Sequence, residues 1–147
     1  MSSKILGKRT QVITLISVLS MLLIATTAFA VTKRIRARNG GVISPNPGIL
    51  FKVPAGSLEA NTRISVTMTE TDTGINFQFG PSGTVFDPPA KLFMTWQAIY
   101  GRANDRNAED IKLYNEDGEE LDVSIEKTSS GVVWYIPHFS IYYYRRR

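Results

Sequence analysis

The chain has 147 residues, no cysteine, 17 basic residues and 13 acidic residues, and its formal net charge is +4. The absence of cysteine excludes a disulfide-stapled scaffold and a thiol nucleophile. Seven of the basic residues and all thirteen acidic residues lie between residues 41 and 143, so this stretch carries −6 and the positive charge is concentrated on either side of it. A nucleic-acid-binding face would need clustered lysine, arginine and stacking aromatic residues, so we expect no nucleic-acid partner.

The first thirty residues are typical of a targeting segment. Lys4, Lys8 and Arg9 precede an apolar, uncharged stretch, and Ala28-Phe29-Ala30 has small residues at the two positions that a signal peptidase recognises. We therefore predict a hydrophobic N-terminal targeting helix and a signal peptide over residues 1–30, which would make the protein secreted or resident in the cell envelope. The stretch 12–30 is also long enough to span a bilayer, so an uncleaved single-pass membrane anchor is the alternative.

Two basic runs flank the predicted domain. Residues 31–39 are predicted to be a basic linker, and residues 145–147 a basic tail. The first run resembles the flank of a stop-transfer segment and could contact an anionic membrane surface. Solvated chain ends are the alternative explanation for both runs. The residues concerned in the first run are Lys33, Arg34, Arg36 and Arg38.

Residues 40–144 predict one all-β domain, an antiparallel β-sandwich of about eight short strands. Short runs of β-branched and aromatic residues alternate with Gly, Pro, Asn and Asp clusters. Strands are expected at 49–53, 63–71, 91–96, 132–136 and 140–144. A hairpin is expected around Asp117-Gly118, because Ile111 and Leu113 precede this turn and Leu121, Val123 and Ile125 follow it in alternation. Residues 97–110 are polar, and we expect a loop there with room for one helical turn.

Three segments in this order resemble the ZU-five domain. They are residues 40–45 (GGVISP), 48–58 (GILFKVPAGSL) and 79–92 (FGPSGTVFDPPAKL). The match covers residues 40–96 well and the remainder loosely. Because its residues are mostly backbone-shaping glycine and proline, the resemblance implies a β-sandwich that serves as an interaction module more directly than it implies an activity.

Within that family some members cut themselves at a His-Phe-Ser motif, and His138-Phe139-Ser140 matches it. The resemblance implies that Ser140 Oγ would attack the Phe139 carbonyl carbon, with His138 accepting the hydroxyl proton and strain favouring an N→O acyl shift. The structural alternative is that Phe139 fills the core while Ser140 opens the last strand. We take the chain to be non-catalytic, with this self-cleavage as the alternative.

A tentative binding surface is expected from aromatic residues beside arginine. Aromatic residues and arginine are enriched at interfaces, although about half of those in strands must face the core. The partner would be an unknown protein or an envelope polymer, and no metal or cofactor is expected. The candidate residues are Trp96, Trp134, Tyr142, Tyr144 and Arg145.

Overall fold

The fold is a β-sandwich, as predicted. The computed structural model describes residues 27–71, 74–100 and 112–145, with only the backbone described for Tyr100, Tyr144 and Arg145. Within these ranges ten strands form two antiparallel sheets, and one short helix follows the sixth strand. The elements are β1 (Ala28–Ile35), β2 (Gly41–Asn46), β3 (Ile49–Val53), β4 (Thr62–Thr71), β5 (Gly74–Gly80), β6 (Val85–Thr95), α1 (Trp96–Tyr100), β7 (Leu113–Tyr114), β8 (Ile125–Lys127), β9 (Gly131–His138) and β10 (Ile141–Arg145).

Each sheet contains five strands of the described chain. The first has the order β1-β4-β5-β10-β7 and the second the order β2-β3-β6-β9-β8. The chain crosses from one sheet to the other several times, most abruptly between β9 and β10, where two residues connect strands of different sheets.

The core lies between the sheets because the strands alternate apolar and polar side chains. In β4, Ile64, Val66 and Met68 are fully buried while the residues between them are partly exposed. This two-residue period places every second side chain on the same face of the sheet. The largest fully buried side chains are Trp134, Tyr142, Phe51, Phe77, Ile35, Ile43, Ile49, Ile64, Met68, Ile75, Leu92 and Met94.

The strand register defines two ends of the sandwich. Ala28 pairs with Thr69, Thr69 with Asn76, and Asn76 with Tyr143, so these residues form one row across the first sheet. We call the end that holds Ala28, Gly74 and Arg145 the base. We call the opposite end the cleft end, where β5 finishes and β10 begins. Because β9 runs from Gly131 to His138 directly before β10, Gly131 lies at the base and His138 at the cleft end.

Strand β1 differs from the prediction of a signal-peptide end followed by a linker. Residues 28–35 pair with β4 over their whole length, so residues 28–30 and 31–35 both belong to the sheet. Ile35 is buried, whereas Lys33 remains exposed and donates a hydrogen bond from Nζ to the Val42 carbonyl at 3.0 Å. Charged side chains are compatible with this strand because it is an edge strand, and they hinder pairing with another chain.

The predicted hairpin is confirmed at its turn but not in its second arm. Gly118 has a φ of 80°. The Leu121 N–H donates to the Leu113 carbonyl at 2.9 Å. Residues 121–124 then leave regular structure, and β8 joins the other sheet by pairing with β9. Ile125 is consequently exposed rather than buried.

Some expectations fall on residues that the structure does not describe. The predicted targeting helix and most of the expected loop at 97–110 lie outside the described residues, although α1 provides a helical turn where that loop was predicted to begin. Among the residues that are described, no helix has the length and apolar character needed to cross a bilayer.

Candidate functional site

A cleft of about 670 Å³ opens at the cleft end of the sandwich. Its two walls are the connection between β3 and β4 and the turn between β5 and β6. Both walls come from the glycine- and proline-rich segments that carry the ZU-five resemblance. The lining residues are Gly56, Ser57, Leu58, Glu59, Ala60, Thr62, Pro81, Ser82, Gly83, Thr84, Val85 and Asp87.

The first wall is held by hydrogen bonds within a turn that follows β3. Ser57 donates to the Pro54 carbonyl from its backbone N–H at 3.3 Å and from Oγ at 2.9 Å. Gly56 supplies the left-handed backbone that this turn needs, with a φ of 77°. Its N–H donates to the Ala37 carbonyl at 2.7 Å, which ties the wall to the turn between β1 and β2.

The second wall is the turn at residues 81–84. Thr84 donates to the Pro81 carbonyl from its N–H at 3.3 Å and from Oγ1 at 2.7 Å. The two walls are joined, because the Asp87 N–H donates to the Ser57 carbonyl at 3.0 Å. Hydrogen bonds within each wall and one backbone hydrogen bond between the walls therefore shape the cleft.

The cleft surface is acidic and rich in hydroxyl groups. Glu59 and Asp87 are both exposed, and the lining contains no lysine, arginine or histidine. Val85 adds an apolar patch, since 66% of its surface is exposed. The surface therefore offers carboxylate, hydroxyl and backbone groups to a polar ligand, together with one apolar contact.

The His138-Phe139-Ser140 tripeptide lies against the second wall of this cleft. His138 pairs with Val85 in the ladder between β6 and β9. The Phe139 N–H then donates to the Thr84 carbonyl at 2.8 Å. The tripeptide and the cleft are thus joined through backbone contacts at the point where the chain passes between sheets.

Phe139 packs into the aromatic part of the core. Its side chain is only 3% exposed. The centroid of its ring lies 4.8 Å from that of Phe86, 5.2 Å from that of Phe79 and 5.5 Å from that of Phe51. Phe139 and three other phenylalanines therefore form one aromatic cluster at the crossing between β9 and β10, as expected from the structural alternative for this motif.

The other two members of the tripeptide are placed differently. His138 is exposed and Ser140 is half-buried. No hydrogen bond joins the His138 ring to Ser140, and no non-glycine residue in the described ranges has a positive φ. The Ser140 hydroxyl follows the predicted scissile bond, but the His138 ring makes no hydrogen bond to it. No residue of the tripeptide has a left-handed backbone conformation.

Tyr142 is a core residue that lies next to the same crossing between β9 and β10. It is 1% exposed, and its hydroxyl donates to the His138 carbonyl. Burial raises the pKa of Tyr142 to about 12, because the charged phenolate would lose its hydration. Tyr142 is therefore a core residue that fixes the end of β9, and it does not belong to the predicted binding surface.

The remaining aromatic candidates do not form one surface. Trp134 lies on β9, which pairs with β6 and β8, and its side chain is completely buried in the core, so the expectation of a surface indole there is corrected. Trp96 is half-buried on α1, and its Nε1 donates to the Thr128 carbonyl at 3.0 Å. Tyr144 and Arg145 lie in β10, where they pair with Ile75 and Gly74, and their side chains are outside the described part.

The four basic residues of the predicted linker are spread along the sandwich. Lys33 and Arg34 lie within β1, whereas Arg36 and Arg38 are exposed in the turn at the cleft end. From Ala28 to Arg36 is eight residues, or roughly 26 Å of extended strand. These residues therefore do not form one compact basic patch next to the predicted targeting segment.

Sequence reasoning missed the cleft itself. The turn residues of each wall were recognisable, but their sequence separation of about 25 residues gives no sign that they face each other. Comparisons with protein-family models, with curated proteins and with solved structures found no match for this chain. The ZU-five assignment therefore stays a prediction from the sequence.

Proposed function

We propose that this chain is a non-catalytic binding module of ZU-five type, exported to the cell envelope, that holds a protein segment or an envelope polymer in the cleft between residues 56–62 and 81–87. The observation that supports the proposal is the cleft itself. Its walls are tied by the Asp87–Ser57 backbone hydrogen bond, and it presents carboxylate, hydroxyl and backbone groups to a ligand.

A cleft with pre-set walls suits binding because little ordering of the protein is needed when the ligand arrives. Side chains and loops that must be immobilised reduce affinity. Here the turn hydrogen bonds of Ser57 and Thr84 have already fixed the loops. The polar groups would select a ligand with hydroxyl or amine donors, while Val85 would contact an apolar part of it.

The test is co-sedimentation of the purified protein with an isolated cell-envelope fraction, using a variant that fills the cleft. Ser82→Trp places a large side chain on an exposed lining residue, and Ser129→Trp makes the same change at an exposed residue near the base. We expect the wild type and Ser129→Trp to sediment with the envelope and Ser82→Trp to stay in solution. Equal sedimentation of both variants, or no sedimentation of the wild type, would reject the cleft as the binding surface. Equal melting temperatures establish that both variants are folded.

Self-cleavage between Phe139 and Ser140 is the second candidate. One observation favours it: the bond lies in the two-residue crossing between β9 and β10, where Ser140 directly follows the buried Phe139. In the reaction Ser140 Oγ would bond to the Phe139 carbonyl carbon as the amide nitrogen takes the hydroxyl proton and leaves. Water would then hydrolyse the ester, giving a carboxylate on Phe139 and a free hydroxyl on Ser140.

Intact-mass measurement distinguishes this candidate from the binding function. Self-cleavage predicts a fragment that begins at Ser140 in the wild type and its absence in Ser140→Ala. An uncut wild-type chain, or the same fragments from the Ser140→Ala variant, would exclude it.

A further inference from the structure

The outer face of the second sheet carries two rows of side chains from its three central strands, β3, β6 and β9. Residues that lie between buried neighbours in a strand point away from the core. All the side chains in these rows are at least partly exposed. The strand register aligns Leu50, Phe93 and Val133 in one row and Lys52, Lys91 and Tyr135 in the next.

The first row is apolar although it faces outward. Leu50 is 39% exposed, and Phe93 and Val133 are half-buried. Val42 of the neighbouring strand β2 is 42% exposed and pairs with Lys52 of the second row. Single exposed apolar side chains are ordinary on a protein surface, but several that share one face offer a contact surface to a ligand.

The second row places two lysines side by side. Lys52 and Lys91 are direct cross-strand partners, and like charges in this arrangement repel each other and destabilise the sheet. Neither lysine forms an ion pair with a carboxylate of the described chain that would offset the repulsion. The Lys91 ammonium lies 5.0 Å from the centroid of the Tyr135 ring, a contact that keeps it on this face. An anion bound to both lysines would remove the repulsion.

A third ammonium group extends the second row at the edge of the sheet. Lys33 Nζ donates to the carbonyl of Val42, the residue that pairs with Lys52. At the other end of the row, the Tyr135 hydroxyl donates to the Glu126 carboxylate at 2.7 Å. From β2 to β9 is three strand spacings, or roughly 14 Å. Positive charge therefore forms a line across the strands, beside an apolar row, and the line ends at an aromatic ring.

We propose that this surface, which we call the lysine face, is a second binding site and that its ligand is an acidic polysaccharide with carboxylates on its sugar rings. The carboxylates bind Lys52 and Lys91, whose charge they complement. The C–H faces of the sugar rings pack against the apolar row and against the ring of Tyr135, which has an apolar body and a polar tip. The proposal is independent of what the cleft binds.

Other occupants fit the lysine face less well. A second copy of the chain, placed face to face by a two-fold axis, would bring the same lysines together. An extended peptide gains affinity from unpaired backbone groups at a sheet edge, whereas β3, β6 and β9 are paired on both sides. A bilayer favours apolar side chains that insert several ångströms into it, whereas Phe93 and Val133 are half-buried within the sheet.

The test is isothermal titration calorimetry of the full chain with polygalacturonate, and with dextran as a neutral polysaccharide. The first variant combines Lys52→Gln with Lys91→Gln. The matched control combines Arg34→Gln with Arg63→Gln, because these exposed arginines are also cross-strand partners but lie on the first sheet, next to Thr32 and Ser65 rather than to an apolar row. Both variants lose the same charge. The lysine variant should not lower the melting temperature, since it removes a repulsion.

We expect the wild type to bind polygalacturonate and not dextran, and the lysine variant to bind it roughly 10-fold more weakly, as for the loss of two exposed ion pairs. The arginine control and the cleft variant Ser82→Trp should bind like the wild type. No binding by the wild type, an equal loss in the two double variants, or a loss only in Ser82→Trp would overturn the proposal.

Two further probes separate the polysaccharide from other anionic partners. With poly-glutamate and with phosphatidylglycerol vesicles, the lysine variant and the arginine control should not differ from each other. A loss confined to the lysine variant with poly-glutamate would assign the face to an acidic protein segment, and the same loss with the vesicles would assign it to a membrane. Either result would overturn the assignment to a polysaccharide.

Discussion

Replacing Phe139 with alanine should destabilise the domain strongly, although Phe139 lies in a connection between strands. The side chain is 3% exposed and its ring contacts those of Phe51, Phe79 and Phe86 at centroid distances of 4.8–5.5 Å. Truncating a buried phenylalanine costs about 3–5 kcal/mol, because transfer free energy is lost and a cavity remains. With three ring contacts removed, we expect about 4 kcal/mol and a fall in melting temperature of roughly 15 °C.

Urea unfolding followed by tryptophan fluorescence measures this loss, since Trp134 is buried in the same core. His138→Ala is the matched control within the tripeptide. The His138 side chain is exposed, and its bond to Tyr142 uses the backbone carbonyl, so the change should stay below about 0.5 kcal/mol. Equal destabilisation by the two variants would refute the conclusion that the motif acts here through the packing of its phenylalanine.

Three further variants test separate contacts. Because the pKa of Tyr142 is raised from 10.0 to about 12 in the fold, its contribution is present below pH 10 and is lost as the pH rises to 12. We expect wild-type stability to fall by about 2 kcal/mol across that window and Tyr142→Phe to lack this part of the loss, as measured by urea unfolding at each pH. Gly131→Ala should destabilise the ladder between β6 and β9 by more than about 1 kcal/mol, because the new Cβ would meet the Met94 carbonyl oxygen; an unchanged melting temperature would contradict this. Trp96→Phe should cost about 1 kcal/mol in urea unfolding through loss of the bond to Thr128, and no change would show that this bond is dispensable.

Strands with a clean two-residue alternation were predicted well from the sequence. The predicted strand at 49–53 is β3, and the predicted strand at 63–71 differs from β4 by one residue. Because one face of each of these strands is buried, apolar residues recur at every second position of the sequence. Strand β1 was missed because it is an edge strand whose residues are mostly exposed. Only Ile35, at its end, is fully buried, and the basic residues remain exposed. Composition there indicates solvent exposure but does not distinguish a linker from an edge strand.

The candidate site was harder to predict, because aromatic and turn residues occur both in binding surfaces and in the ordinary core and turns of a β-sandwich. Trp134 shares its face of β9 with Val132 and Ile136, and this alternation was a sufficient signal that the indole is buried. The cleft had no such signal. Turn chemistry at Gly56 and Gly83 predicts the local backbone, whereas the meeting of the two turns depends on strand order in the sheets.

The position of β10 limits what a break at Phe139/Ser140 would accomplish. This strand lies between β5 and β7, so it is held by hydrogen-bond ladders on both sides rather than at a sheet edge. Tyr142 anchors it further through burial and through its bond to the His138 carbonyl, which lies on the other side of the break. A cut chain would therefore keep both pieces in one folded domain until it unfolds.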